Sequence, residues 1–320
     1  MIDFIKIWSY INSEEVSLLK NSFDFMGSYN VTTGESISRN RSGKEVNPYI
    51  EANAKNMKIK LYPNGRCEIA GSIHKYFNDG KHNFNYFGRK ELTHAIVELN
   101  KYLNININEF RLSNIEIGVN ITPPVDSDII IDNAFMYKNK VFENKFHSDE
   151  GNYKQAGLTE YMVKLYNKRK HYTNQGYVID NETLRFELKY TVMRSINDLG
   201  VVYVKDLEKG LESFKKPLMN AWDNILLYDH TIDYYLPEKT RLEYSNPNYW
   251  MSLKQTNQRT FKKYFNNLRK LNLIDSKGIC QMSKTTIDEI ACKMLESLWF
   301  NLVNSFCLIG GYISLYEYVA

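Results

Sequence analysis

The stretch RLSNIEIGVNI, residues 111–121, places Ile115, Ile117, Val119 and Ile121 on one side and Asn114, Glu116, Gly118 and Asn120 on the other. Period two is the mark of a strand that turns one face to a core and the other away from it. LRFELKY repeats the pattern, with Leu184, Phe186, Leu188 and Tyr190 against Arg185, Glu187 and Lys189. YMVKLYNK, residues 161–168, reads as a strand with Lys164, Tyr166 and Lys168 pointing the same way. MIDFIKIW reads as an opening strand, with Ile2, Phe4 and Trp8 on separate turns of the pleat. MKIKLYPNGRCEIAGSIHKY adds two alternating runs around Pro63-Asn64-Gly65, and Asn-Gly is a strong hairpin signal because both turn positions accept positive φ. Strands of this kind predict an antiparallel sheet with one face on the core and one face open, the open face carrying His, Glu, Tyr and Lys.

Helical signals surround these strands. In RKELTHAIVELNKYL, residues 89–103, Leu92, Ile96, Leu99 and Leu103 fall at spacings of three and four, one helical face. Residues 26–55 are rich in Gly, Ser, Asn and Thr and read as loops with short strands at best. After about residue 205 helical periodicity dominates, so the expected fold class is α+β. A central antiparallel sheet with packed helices occupies residues 1–205, and a mostly helical region, DNA-binding or accessory, occupies 206–320. Within that region SKTTIDEIACKMLESLW is read as a helix capped by Ser283. At 320 residues and 43% apolar content the chain can bury a sizeable core, and a net charge of +4 permits a nucleic-acid partner without demanding one. No apolar run approaches the ~20 residues that span a bilayer, and the N-terminus has no signal layout, so an intracellular, cytoplasmic protein with no membrane partner is expected. Cys67, Cys280, Cys292 and Cys307 have no metal-type spacing and are read as buried thiols.

Four features carry chemistry. Tyr166 lies in VKLYNKRKH, where Lys168, Arg169 and Lys170 would favour a phenolate able to attack phosphate. The chain has 24 tyrosines, so an ordinary structural role stands beside that reading. Glu116 and Glu187 share the outward face and can hold a divalent cation or simply form ion pairs, Arg185 and Lys189 being neighbours of Glu187. In GKHNFNYFGRKEL a glycine turn delivers His82, which with His74 could add nitrogen ligands to a Mg²⁺ or Mn²⁺ site. His74 is the weaker of the two and reads also as a satisfied core or edge histidine on a strand, and Asn83 as a residue that pins the turn or touches DNA. From Lys254 to Lys270 there are six basic residues and no acidic one, with Phe261, Phe265 and Leu268 as the apolar stripe. That run is either a phosphate-binding face or the solvated side of a helix. No Walker A loop, GxGxxG or GxSxG is present, so ATP, nicotinamide and serine-hydrolase chemistry lack support.

In order and spacing over about residues 1–195, MIDFIKIW, SIHKYFNDGKHNFNYFG, RLSNIEIGVNI, VKLYNK and LRFELKY together resemble the filamentous-phage gene-two/X replication protein family and its plasmid relatives. These are rolling-circle initiators with an HUH-like nuclease core. The chain departs from the family pattern at His171 and has no uninterrupted His-hydrophobic-His triplet. The resemblance implies a replication initiator that nicks and rejoins one strand at an origin. Tyr166 would be the nucleophile that keeps the 5′ end as a phosphotyrosine and frees a 3′-OH primer. It implies a Mg²⁺ or Mn²⁺ ion held by His82 and Glu116 with help from Glu187, and Lys168 as a charge-balancing or leaving-group residue. DNA contacts are expected from Lys170, Arg185, Arg259, Lys262 and Lys263. Expected partners are double-stranded origin DNA, the single-stranded nick site, and host helicase and polymerase. Either a homodimer or a second tyrosine such as Tyr172 would supply a second nick. A non-catalytic origin-binding or repressor protein and a conjugative relaxase are the alternatives.

Overall fold

A computed structural model describes residues 1–39, 42–123, 125–148 and 151–274. The strands are β1 (Ile2–Tyr10), β2 (Met26–Tyr29), β3 (Ser36–Arg39), β4 (Glu45–Val46), β5 (Ile50–Ala54), β6 (Met57–Leu61), β7 (Arg66–Ser72), β8 (Arg111–Ile121), β9 (Ala134–Tyr137), β10 (Lys140–Val141), β11 (Glu143–Ser148), β12 (Gly151–Gly157), β13 (Tyr161–Asn167), β14 (Leu184–Tyr190) and β15 (Ile225–Leu227). The helices are α1 (Ser13–Ser22), α2 (Ile73–Phe77), α3 (Arg89–Leu103), α4 (Ser127–Asn133), α5 (Lys168–Thr173), α6 (Arg194–Asn197), α7 (Leu207–Gly210), α8 (Lys215–Asp223), α9 (Glu238–Tyr244), α10 (Pro247–Thr256) and α11 (Gln258–Ile274).

Twelve strands form one sheet in the order β11-β12-β13-β14-β8-β1-β7-β6-β5-β2-β3-β4. Every pairing in it is antiparallel. The fold class is therefore α+β. The alternation of β8 and β14 is realised as read: Ile115, Ile117, Val119, Phe186 and Leu188 are buried in a single core. Onto that face pack Leu92, Ile96, Leu99 and Leu103 of α3, Ile130 and Ile131 of α4, and Leu218 and Trp222 of α8. Trp222 meets Phe186 edge-on with ring centroids 5.3 Å apart.

Three local readings are corrected. In β1 the buried residues are Ile2, Ile5 and Ile7, while Phe4 and Trp8 are half-exposed. A register shift between Ile2 and Ile5 sets Asp3 and Phe4 opposite the single residue Glu116 of β8. This bulge reverses the phase of the strand. His74 lies on α2, because Ser72 caps a helix there by accepting from the Lys75 N–H at 3.0 Å. Lys168 lies outside β13, because the Asn167 side chain accepts from the Lys170 N–H at 2.9 Å and starts α5. The Pro63-Asn64-Gly65 turn closes β6 onto β7 as expected, with Gly65 at φ 79° supplying the positive φ.

A second, smaller core gathers Phe135, Met136, Leu226, Tyr228, Ile232, Tyr244, Trp250, Phe261, Phe265 and Leu268. Its strands form a separate three-stranded sheet, β10-β9-β15. The first core continues past residue 205 through Leu207, Leu211, Phe214, Leu218 and Trp222, and the second draws β9 from well before it. The region from Glu238 to Ile274 is helical, as read. The proposed helix after Ser283 and three of the four cysteines fall outside the described residues; Cys67 is a buried free thiol whose burial pushes its pKa up to about 12. No helix of the described residues is long and apolar enough to cross a membrane.

Trp250 is fully buried at the centre of the second core and its indole N–H donates to the Tyr244 carbonyl at 2.8 Å. Trp250→Ala is expected to remove about 3–5 kcal/mol from that core. Limited proteolysis should then cut first between residues 230 and 260, while the far-ultraviolet signal of the large sheet persists.

Candidate functional site

The strand register places polar residues in rows across the face opposite the core. Tyr153, Tyr166, Arg185 and Asn120 form one row, and Gln155, Lys164, Glu187 and Gly118 the next; in the third, Lys189 stands beside Glu116. Gly118 is required by this crowding. A Cβ there would sit 2.7 Å from the Phe186 carbonyl oxygen and 2.8 Å from Glu187 Cγ.

The face was expected to be open. Around Asp3 and Asn120 it is covered by the loop from His82 to Phe87 and by α5. The Asn120 side chain donates to the Phe84 carbonyl at 2.9 Å, and Tyr172 of α5 donates to Asn83 Oδ1 at 2.7 Å. Asn83 in turn donates to Asp3 Oδ2 at 2.7 Å, and the Ser72 hydroxyl donates to Asp3 Oδ1 at 2.5 Å. The turn-pinning role read for Asn83 is thus extended: it also holds a buried carboxylate.

Asp3, Glu116 and Glu187 are all buried and bring one carboxylate oxygen each to within 4.8 Å of the others. All three offer hard oxygen donors of the kind Mg²⁺ and Mn²⁺ take. Three cations face them. Arg185 Nε is 2.7 Å from Glu187 Oε1 and its Nη2 is 3.4 Å from Asp3 Oδ2. Lys164 Nζ is 2.9 Å from Glu116 Oε2 and 3.5 Å from Glu187 Oε2, and Lys189 Nζ is 2.5 Å from Glu116 Oε1. Both sequence readings of Glu116 and Glu187, ion pairs and a cation-type carboxylate cluster, are present in one arrangement. Burial works to raise the pKa of Asp3, but Arg185, Lys168 and the Ser72 and Asn83 hydrogen bonds outweigh it and hold the group at about 2.

Tyr166 is half-buried in this row, and its phenol donates to Glu187 Oε1 at 3.2 Å. Burial and then Glu187 push the phenol well above its ordinary value of 10.0, with Arg185 pulling the other way. The expectation that neighbouring bases favour a phenolate is therefore overturned. Lys168 is fully buried, its Nζ 5.9 Å from the Tyr166 and Tyr172 ring centroids and without a hydrogen-bond partner among the described residues. Burial, then Arg185, lower its pKa well below that of a free lysine. Arg169 pairs with Glu182 at 3.2 Å and Lys170 with Asp128 at 3.5 Å.

The structure does not bring every expected residue to the site. His82 is not a member of the carboxylate group: its ring stacks on Phe84 at 4.2 Å and meets Tyr177 edge-on at 5.5 Å. His74 is a buried core histidine, with Nε2 2.7 Å from Asn85 Oδ1, Nδ1 without a hydrogen-bond partner among the described residues, and its pKa pushed by burial to about 2. Arg185, expected to touch DNA, has no exposed surface; its Nε and Nη1 donate to Glu187 and Asn120, and its Nη2 forms an ion pair with Asp3 at 3.4 Å. Tyr172 is buried against Asn83, and burial raises its pKa to about 12. Arg259, Lys262, Lys263 and Lys270 are exposed on α11, and none has a carboxylate partner among the described residues. Asp3 was missed. Its signal is the three-residue spacing between Ile2 and Ile5, which breaks period two and marks the bulge.

No family model matches the sequence, and no curated protein does. Among solved structures the chain is similar to a rolling circle replication initiator protein from Geobacillus stearothermophilus, with a TM-score of 0.41 and 10% identity over 69% of this chain and 84% of that one. The likeness is distant, and the chemistry of the site stands on its own residues.

Asp3 titrates near 2 in the folded protein and near 3.8 when unfolded. Its contribution is full above pH 3.8 and is lost as pH falls through 2, a term on the order of 2 kcal/mol. Asp3→Asn should lower the urea midpoint at pH 7 and flatten its fall between pH 4 and 2, read from urea denaturation across that range.

Proposed function

We propose that this chain is a site-specific DNA nickase that initiates rolling-circle replication at a plasmid or phage origin. The observation that carries the reading is the 3.2 Å hydrogen bond from the Tyr166 phenol to Glu187, a member of the buried Asp3, Glu116 and Glu187 group. A tyrosine aimed at a carboxylate cluster joins a nucleophile, a proton acceptor and a cation site within one sheet face.

The Tyr166 oxygen bonds to the scissile phosphorus as the bond from phosphorus to O3′ breaks. The 5′ end stays on the protein as a phosphotyrosine, and the 3′-OH is released as a primer. Because the resting phenol is neutral, its proton must leave during attack, and Glu187, which already accepts a hydrogen bond from the phenol, is placed to take it. The same proton goes on to the departing O3′, so none is gained or lost overall. Lys168, buried beside the ring and pressed toward the neutral amine, is a second group that can carry it. Arg185 fixes the orientation of Glu187 and ties it to Asp3. A divalent cation held by Asp3, Glu116 and Glu187 would polarise a non-bridging phosphate oxygen and stabilise the charge that builds on it. His82 is retained in this reading as a residue that anchors the covering loop through Phe84. Arg259, Lys262 and Lys263 supply phosphate contacts to origin duplex, with Lys170 at the rim of the site.

A second reading is favoured by one observation. Arg185, Lys164 and Lys189 match the three carboxylates charge for charge, as a purely structural polar core would. A non-catalytic origin-binding protein could be built on that core. A relaxase is less well supported, since no histidine belongs to the carboxylate group.

With Mg²⁺ or Mn²⁺ and a supercoiled plasmid carrying the cognate origin, the protein should yield nicked circles and a covalent protein–DNA adduct. Tyr166→Phe should form neither; an adduct with that variant would sink the assignment, and origin binding without nicking under any metal would favour the second reading. Replacing Arg259, Lys262 and Lys263 together by Ala should weaken duplex binding and reduce the slope of log K against log salt by about 1 per cation removed. An unchanged slope, measured by fluorescence anisotropy, would take α11 out of the DNA interface.

A further inference from the structure

Both Asp3 oxygens accept hydrogen bonds, from Ser72 and Asn83, whereas each of the two glutamates has one oxygen committed to a fixed partner. Glu187 Oε1 accepts from Arg185 at 2.7 Å and from Tyr166 at 3.2 Å, and Glu116 Oε1 meets Lys189 at 2.5 Å. The two remaining oxygens, Glu116 Oε2 and Glu187 Oε2, share the ammonium of Lys164 at 2.9 and 3.5 Å. That nitrogen therefore occupies the space between two of the three groups that would hold a divalent ion. Such an ion takes its oxygens at about 2.0–2.6 Å, and two cations cannot share that gap. Of the partners, Lys164 and the 27%-exposed Lys189 both end in ammonium groups able to leave, and Lys164 is the one that spans both glutamates. Its side chain is 14% exposed, against 0% for Arg185 and 2% for Glu187, and it ends a flexible four-carbon stem.

Resting on the metal reading above, we infer that Lys164 is the resident cation of this site, and that it yields its two oxygens to a divalent ion when a DNA phosphate is there to receive the ammonium. Metal and single-stranded DNA then bind with positive coupling, because each removes the obstacle to the other. An idle enzyme keeps its carboxylates neutralised without metal, and the metal-loaded state is favoured only with substrate in place. Lys164 is on this account a positioning residue for the nick, acting through the cation and the phosphate.

The test is Mn²⁺ binding by the full chain, followed by the electron paramagnetic resonance signal of free Mn²⁺, with and without an oligothymidylate strand. Lys164→Met should bind Mn²⁺ roughly tenfold more tightly than wild type in the absence of DNA, a coupling of ordinary size. Lys164→Arg, which keeps the charge, should bind no more tightly than wild type. The oligonucleotide should tighten Mn²⁺ binding by wild type and leave Lys164→Met unchanged. Lys164→Gln serves if the Met variant melts early, and is expected to behave as Met does. Equal Mn²⁺ affinity in wild type and both neutral variants would overturn the inference while leaving the metal site standing. An equal effect of DNA on wild type and variant, or none on wild type, would overturn the hand-over to phosphate. Absence of Mn²⁺ binding by every variant would remove the metal reading itself.

Discussion

A guanidinium with no exposed surface can persist only where carboxylates meet it, since an unpaired buried charge costs several kcal/mol. Arg185 is such a group, and its partners come from different parts of the chain: Glu187 beside it on β14, Asn120 on β8 and Asp3 on β1. The three strands are thereby tied through their polar faces as well as through backbone ladders. The rest of the site follows from this contact. Glu187 is oriented for Tyr166, Asp3 is oriented for Asn83, and Asn83 in turn draws the loop after α2 and the Tyr172 hydroxyl over the sheet.

Burial of this face changes the character of each group on it. On an open sheet the tyrosine and lysines would behave much as in water. Under the loop and α5, Tyr166 is held protonated and Lys168 is pressed toward its neutral form, both chiefly by desolvation. A site of this type favours proton transfer between adjacent side chains over free ionisation. The covering loop is held down by stacked rings, His82 on Phe84 and His74 on Phe87, so the aromatics of GKHNFNYFG act as the weight that keeps the cover in place.

Much of the large sheet was legible because alternation and burial coincide. The bounds of β8 and β14 match their apolar phase, and α3 spans the 15 residues whose spacing marks one helical face. What was not legible arises from contacts distant in sequence. The open face read from strand pattern is closed by residues some 40 to 90 positions away, and no local signal encodes that cover. The bulge in β1 was written in the Ile2–Ile5 spacing but hidden by Phe4 and Trp8, which are apolar enough to mimic the core phase. His82 has the sequence context of a ligand and the surroundings of a packing residue. Tyr166 and the two glutamates, in contrast, were brought together because register alone sets them in adjacent rows.

Phe135 and Met136 of β9, in the β9–β10 hairpin, belong to the second core although the chain reaches them long before the helices they pack with. Phe135 and Met136 find their burial only when Leu226, Trp250 and Phe265 have been made. For a protein emerging vector-wise from a ribosome, the early hairpin must wait about a hundred residues for its partner surface. The same threading bears on inheritance. Recombination at a single point between the hairpin and the helices would separate them, and one just before the hairpin would carry β11 to β14 along with them. Exchanging the second core alone would take three crossovers, two flanking the hairpin and one ahead of β15.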